Sequence, residues 1–193
     1  MSDLAGRLAA VRDGVADAAR VADRDPASIT TIVVTKFHPA SLVRELASLG
    51  VRDFGENRHQ EAAAKAAELV DLDLTWHFVG QLQGKKARQV RSYARVIHSI
   101  DRESLADALA SSDSNVDCFV QVNLTDDAAR GGVEPANLDA LVEHVVATRG
   151  LTLLGLMAVA PLGEEPRRAF ARVRELSDRI RLTAPDADEL SMG

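Results

Sequence analysis

The sequence is short of cysteine, of aromatic residues and of long apolar runs, and each shortage closes an option. One cysteine, Cys118, cannot make an internal disulfide, so a disulfide-stapled scaffold is excluded. It lies in the run Val116-Asp117-Cys118-Phe119-Val120 and reads as a small buried apolar residue. Aromatics make up 4% of the chain, so Val, Leu, Ile and Ala must build the core. No apolar run is long enough to span a membrane. Asp3, Arg7, Arg12 and Asp13 interrupt the N-terminus, which therefore reads as no signal peptide, and the cytoplasm is the default location. Positive charge is also scarce. A net charge of −6 argues against a nucleic-acid binder and against a basic membrane-surface protein. Lysine is rare beside arginine, 4 against 19, so each lysine stands out.

What is present is a repeating pattern. A length of 193 residues and an apolar fraction of 46% suit one compact domain, and no composition shift divides 1–193. Residues 2–23 predict an amphipathic helix, with Leu4, Leu8, Val11 and Val15 as its apolar stripe. Pro26 ends it. Short apolar stretches then alternate with helical ones. Strands are predicted over 29–36, 51–54, 75–79, 95–100, 116–123, 151–159 and 188–192. Helices are predicted over 39–50, 58–70, 84–93, after Asp101 as N-cap, over 135–148 and over 165–183.

Strand and helix in strict alternation imply a parallel sheet with helical crossovers. Seven units favour a TIM-type (β/α) barrel with an N-terminal helix over an open doubly wound sheet. The rival lacks its Gly-x-Gly-x-x-Gly after the first strand, and Gly84-Lys85-Lys86 lacks the other residues of a Walker loop. A closed barrel needs eight strands, and the sequence stops at the seventh. The expectation is an incomplete barrel with unpaired edges on strands one and seven.

In such barrels chemistry sits at the C-terminal ends of the strands. Those positions hold Lys36, Glu56, Asn57, His77 or Gly80, Ser99, Gln121 or Asn123, Met157 and Ser191. Lys36 ends an apolar strand on the same face as Ile32 and Val34, so it is expected to point into the barrel mouth. Desolvation there would lower its pKa and make it a nucleophile toward carbonyls. A strand-end lysine bending out to water is the plainer alternative. His38, His59, His77, His98 and His144 show no metal-ligand spacing, so no metal is expected. Lys85, Lys86, Arg88, Arg91 and Arg95 form a basic cluster, read as a solvated helix face or as a docking site for an acidic partner.

A set of words runs along the chain in order. They are Val33-Val34-Thr35-Lys36, Phe54-Gly55-Glu56-Asn57 and the eight residues from Trp76 to Gln83. Ile97-His98-Ser99-Ile100-Asp101, Gln121-Val122-Asn123, Gly155-Leu156-Met157 and Leu190-Ser191-Met192-Gly193 follow. In these the sequence resembles the pyridoxal 5′-phosphate (PLP) homeostasis protein family (YggS/PROSC), itself similar to the N-terminal barrel domain of alanine racemase. The resemblance implies PLP as cofactor, held as an aldimine on Lys36. It implies that Asn57, His77 and Met157 line the ring or its surroundings, and that Ser191 begins the stretch leading into the phosphate cradle. The family continues with a Val-Arg-Ile-Gly-like segment that completes the ring and phosphate contacts, and this sequence ends before it.

Two functions fit. One is a PLP carrier and reservoir that supplies PLP-dependent apoenzymes, as a monomer or a weak dimer. The other is an amino-acid racemase-like enzyme. A racemase needs a base on each face of the substrate carbon. The one tyrosine, Tyr93, is expected far from the strand C-termini, and Glu56 is the one carboxylate expected at the mouth. The carrier is therefore favoured.

Overall fold

The β-branched and apolar runs are too short for helices, and each becomes a strand that needs a neighbour for its backbone groups. The structure, a computed structural model, describes residues 3–125, 127 and 130–193. Among the described residues seven parallel strands form one sheet in chain order. The strands are β1 (Val33–Val34), β2 (Asp53–Glu56), β3 (Thr75–Phe78), β4 (Val96–Ile100), β5 (Val116–Gln121), β6 (Leu151–Ala158) and β7 (Glu189–Met192). The helices are α1 (Leu4–Val21), α2 (Ala40–Ser48), α3 (His59–Glu68), α4 (Ala87–Arg91), α5 (Glu103–Leu109), α6 (Leu138–Ala147) and α7 (Pro166–Ile180). This is the expected (β/α) barrel, open between β1 and β7.

Alternation along each strand sends one set of side chains to the helix layer and the other to the barrel interior. Phe54 and Trp76 go outward, their rings 6.0 Å apart, to pack with Val43 and Leu46 of α2. Ile97, Cys118, Val120 and Leu156 go outward to meet α5, α6 and α7. Cys118 is fully buried there, and burial pushes its thiol up to about 12. It is the inert apolar residue expected. Val96, Phe119 and Met157 face inward as a small apolar cluster.

Several expected boundaries shift. The first strand is two residues long, because β1 borders the open side and has one neighbour, with Val33 opposite Phe54 and Val34 opposite Gly55. Residues Pro26–Ser28 form a 3-10 turn instead, capped by the Asp25 carboxylate, which accepts the Ala27 N–H at 2.9 Å. The helix after β3 is a 3-10 turn, Gly84–Lys86, followed by the five residues of α4. Asp101 does not cap α5. Arg102 takes the N-cap position and its guanidinium pairs with Asp101. Val11 in the α1 stripe is 53% exposed, since α1 joins the core through Leu8 and Leu4.

Candidate functional site

Lys36 follows β1 in a tight turn, on the parity that places Ile32 and Val34 over Gly55. It differs from expectation in one respect. The residue is exposed, and among the described residues its side chain makes no hydrogen bond or ion pair. Of the other lysines, Lys65 is buried and fully engaged. Its Nζ donates to the Thr35 carbonyl at 2.8 Å, to Glu56 Oε1 at 2.6 Å and to Glu61 Oε1 at 2.8 Å. An ammonium has three protons, so none is left over.

Glu56 does not stand at the mouth. It shares Phe54's parity, faces α3, is 1% exposed and accepts the Thr35 hydroxyl at 2.7 Å as well as Lys65. Asn57 extends β2 by one inward position beyond Gly55, as Lys36 extends β1 beyond Val34, so the two share a level. Its Oδ1 is buried and has no hydrogen-bond partner among the described residues. The loop after β3 presses on the Asn57 backbone, where a Cβ on Gly80 would lie 2.2 Å from its carbonyl oxygen. An accessible amine and an unpartnered side-chain oxygen at one level are groups that an aldehyde-bearing ring can engage.

Below that level the interior is crossed by a polar relay. His77 lies opposite Gly55 in β3 and is 6% exposed. Its Nε2 lies 3.1 Å from Asp53 Oδ1, and its Nδ1 lies 2.9 Å from His98 Nε2. His98 Nδ1 lies 2.8 Å from Ser191 Oγ. Burial pushes the His98 imidazolium down to about 3, with His77 adding to the shift, and burial lowers His77 too. Both rings are thus neutral near pH 7, and a carboxylate only accepts. His77 Nε2–H donates to Asp53, His98 Nε2–H donates to His77, and the Ser191 hydroxyl donates to His98. Ser191 has spent its one proton and keeps its oxygen as an acceptor.

The five residues singled out from the sequence therefore fall into groups. Lys36 and Asn57 share one end of the sheet. Met157 and Ser191 lie opposite each other on β6 and β7. His77 reaches Ser191 through His98, and no hydrogen bond joins Lys36 to the others. Met157 packs with Val96 and Phe119 and is 7% exposed. Asn123 organises its own loop, its Oδ1 accepting the Thr125 N–H at 2.9 Å. Ser99 Oγ is buried without a partner. Tyr93 packs in the helix-side core, its hydroxyl 3.5 Å from His59 Nδ1.

Sequence reasoning missed Asp53, His98 and Lys65 as parts of the site. Lys65 four residues after Glu61 was a visible helical pair, though its burial was not. The basic cluster is partly structural. Arg91 donates to the Leu109 and Gly150 carbonyls at 2.9 and 3.0 Å, and Arg95 pairs with Asp117 at 3.5 Å. Among the described residues no three His, Cys, Asp or Glu side chains gather as a metal site, and no helix is long and apolar enough to cross a membrane.

The family model for the alanine racemase N-terminal domain matches residues 7–193. Alanine racemase from Corynebacterium glutamicum shares the fold, with a TM-score of 0.67 at 15% identity over 82% of this chain and 47% of that one. The class is thus an alanine racemase N-terminal-type barrel. The pyridoxal phosphate homeostasis protein of Pseudomonas aeruginosa is 40% identical over 200 residues, spanning 100% of this chain and 86% of that protein. PipY of Synechococcus elongatus, solved with PLP bound, superimposes with a TM-score of 0.83 at 38% identity, over 98% of this chain and 88% of that one. This chain belongs to the pyridoxal phosphate homeostasis protein family.

Proposed function

We propose that this protein binds PLP through the Lys36 amine and serves PLP homeostasis as a carrier that supplies the cofactor to apoenzymes in the cytoplasm, with residues 1–193 acting as one PLP-binding barrel domain. The observation that carries this is the contrast between Lys36, in the turn after β1, and Lys65, on α3, whose ammonium reaches the same turn. Lys36 is accessible and unpartnered beside the unpartnered Asn57 acceptor, whereas Lys65 has every proton engaged. PLP supplies an aldehyde that condenses with a free primary amine and a phosphate that anchors the ring. Lys36 offers the amine, and Asn57 an acceptor at the same level. His77, His98 and Ser191 make the polar floor beneath them, and Met157 the apolar wall. The carboxylates of Glu56 and Glu61, tied to Lys65, are withheld from proton transfer at the mouth, which favours holding the cofactor over turning over an amino acid.

The test is the absorbance spectrum of the protein incubated with PLP. A yellow band that borohydride bleaches is expected, and Lys36→Ala should remove it. A full band in Lys36→Ala, or none in the parent protein at saturating PLP, overturns the proposal.

A further inference from the structure

Both peptide groups that flank Lys36 are held by side chains of α3 through one connected cluster. Lys65 Nζ donates to the Thr35 carbonyl at 2.8 Å, and the Phe37 N–H donates to Glu61 Oε1 at 2.6 Å. The same Glu61 oxygen accepts from Lys65 at 2.8 Å, and Glu56 Oε1 accepts from both Lys65 and the Thr35 hydroxyl. The residue before Lys36 and the residue after it are thus tied to one ammonium and its two carboxylates. Phe37 has φ of +66°, a left-handed conformation that a bulky residue keeps only when its surroundings hold it. Its ring also lies 4.8 Å from the Arg58 guanidinium. Stability is a weak reason for the buried Lys65–Glu56 pair at its centre, because desolvation offsets most of the attraction.

We infer that Lys65, Glu61 and Glu56 form a clamp that presets the Lys36 turn for capture of the PLP aldehyde, an inference that rests on Lys36 being the cofactor lysine. Lys65 and Glu61 are positioning residues: they act by holding main-chain groups of the turn. The step they serve is a condensation. The unprotonated Nζ adds to the aldehyde carbon, the carbonyl oxygen leaves as water, and a C=N bond replaces C=O, with no oxidant or reductant. Fixing the Lys36 main chain narrows the directions from which Nζ can approach, which raises the rate of that addition.

The experiment compares the rate of PLP capture, followed by stopped-flow absorbance, with melting temperature and with amide hydrogen exchange of the PLP-free protein. Glu61→Gln loses the charge but keeps an oxygen for the Phe37 N–H, whereas Glu61→Ala loses both. Both variants should melt lower, having lost the ion pair. Capture should slow about tenfold in Glu61→Ala and in Lys65→Met and be restored toward the parent rate in Glu61→Gln. The Phe37 amide should exchange faster in Glu61→Ala than in Glu61→Gln. Capture that simply follows melting temperature, with the two Glu61 variants alike, overturns the clamp, as does an unchanged rate in all three variants. Should Lys65→Met fail to fold, the Glu61 pair decides alone. A parent protein with a Lys36 adduct and variants of equal rate defeats the clamp only. A parent protein with no adduct on Lys36 defeats the assignment of Lys36 and the clamp together.

Discussion

Lowering the pH from about 7 to about 5 sets the solvent against the site of His98. The ring is 1% exposed, stacks on Phe119 at 4.7 Å, and sits between His77 and Ser191, with Asp53 at the far end of the relay. In the folded protein burial, aided by His77, pushes its pKa down to about 3. In the unfolded chain it titrates near 6.5. Between those values the unfolded state binds the proton and the folded state does not, so stability falls as pH falls and the effect vanishes above about 6.5. At about 1.4 kcal/mol per pH unit, the step to pH 5 removes roughly 2 kcal/mol through His98 alone. His77 is lowered as well and acts in the same sense. The assay is urea unfolding from about pH 8 to about pH 5 for the parent protein and for His98→Gln. The variant starts less stable, having lost the stacked ring, but its loss of stability per pH unit below 6.5 should be smaller by about 1.4 kcal/mol. Parallel slopes in the two proteins would refute the reasoning.

Other outcomes follow from the same geometry. Lys65→Met leaves Glu56 buried without its cation and should destabilise the protein by roughly 3–5 kcal/mol, read from the urea midpoint; a loss under about 1 kcal/mol would mean the pair is hydrated. Gly80→Ala puts a Cβ 2.2 Å from the Asn57 carbonyl oxygen, so about 1–3 kcal/mol of stability should go, together with weaker PLP retention in equilibrium dialysis. With L-alanine in heavy water, α-hydrogen exchange should stay at the level free PLP supports. Turnover that depends on Lys36 would instead favour a racemase-like activity.

The alternation of strand and helix was legible because each apolar run was bounded by helical periodicity, and the (β/α) barrel followed from the order alone. Boundaries failed where tertiary context decided them. Val33–Val34 is the whole of β1 because it pairs with β2 alone, and α4 shrinks behind a 3-10 turn. In the site, Lys36 and Asn57 were legible as strand-end residues. Glu56 is a strand-end residue in the sequence, but it shares the parity of Phe54 and so faces α3. The relay was out of reach of any local pattern, since its bonds join residues 24, 21 and 93 positions apart. The exposure of Lys36 was not legible, because inward parity along a strand says where a side chain starts and not how much of it neighbouring elements cover.

The most direct measurement is peptide mapping of the protein after incubation with PLP and reduction with borohydride. The account predicts a pyridoxyl group on Lys36, with Lys65 unmodified because its ammonium is buried and fully bonded. A pyridoxyl group found mainly on Lys65, Lys85 or Lys86 would contradict it.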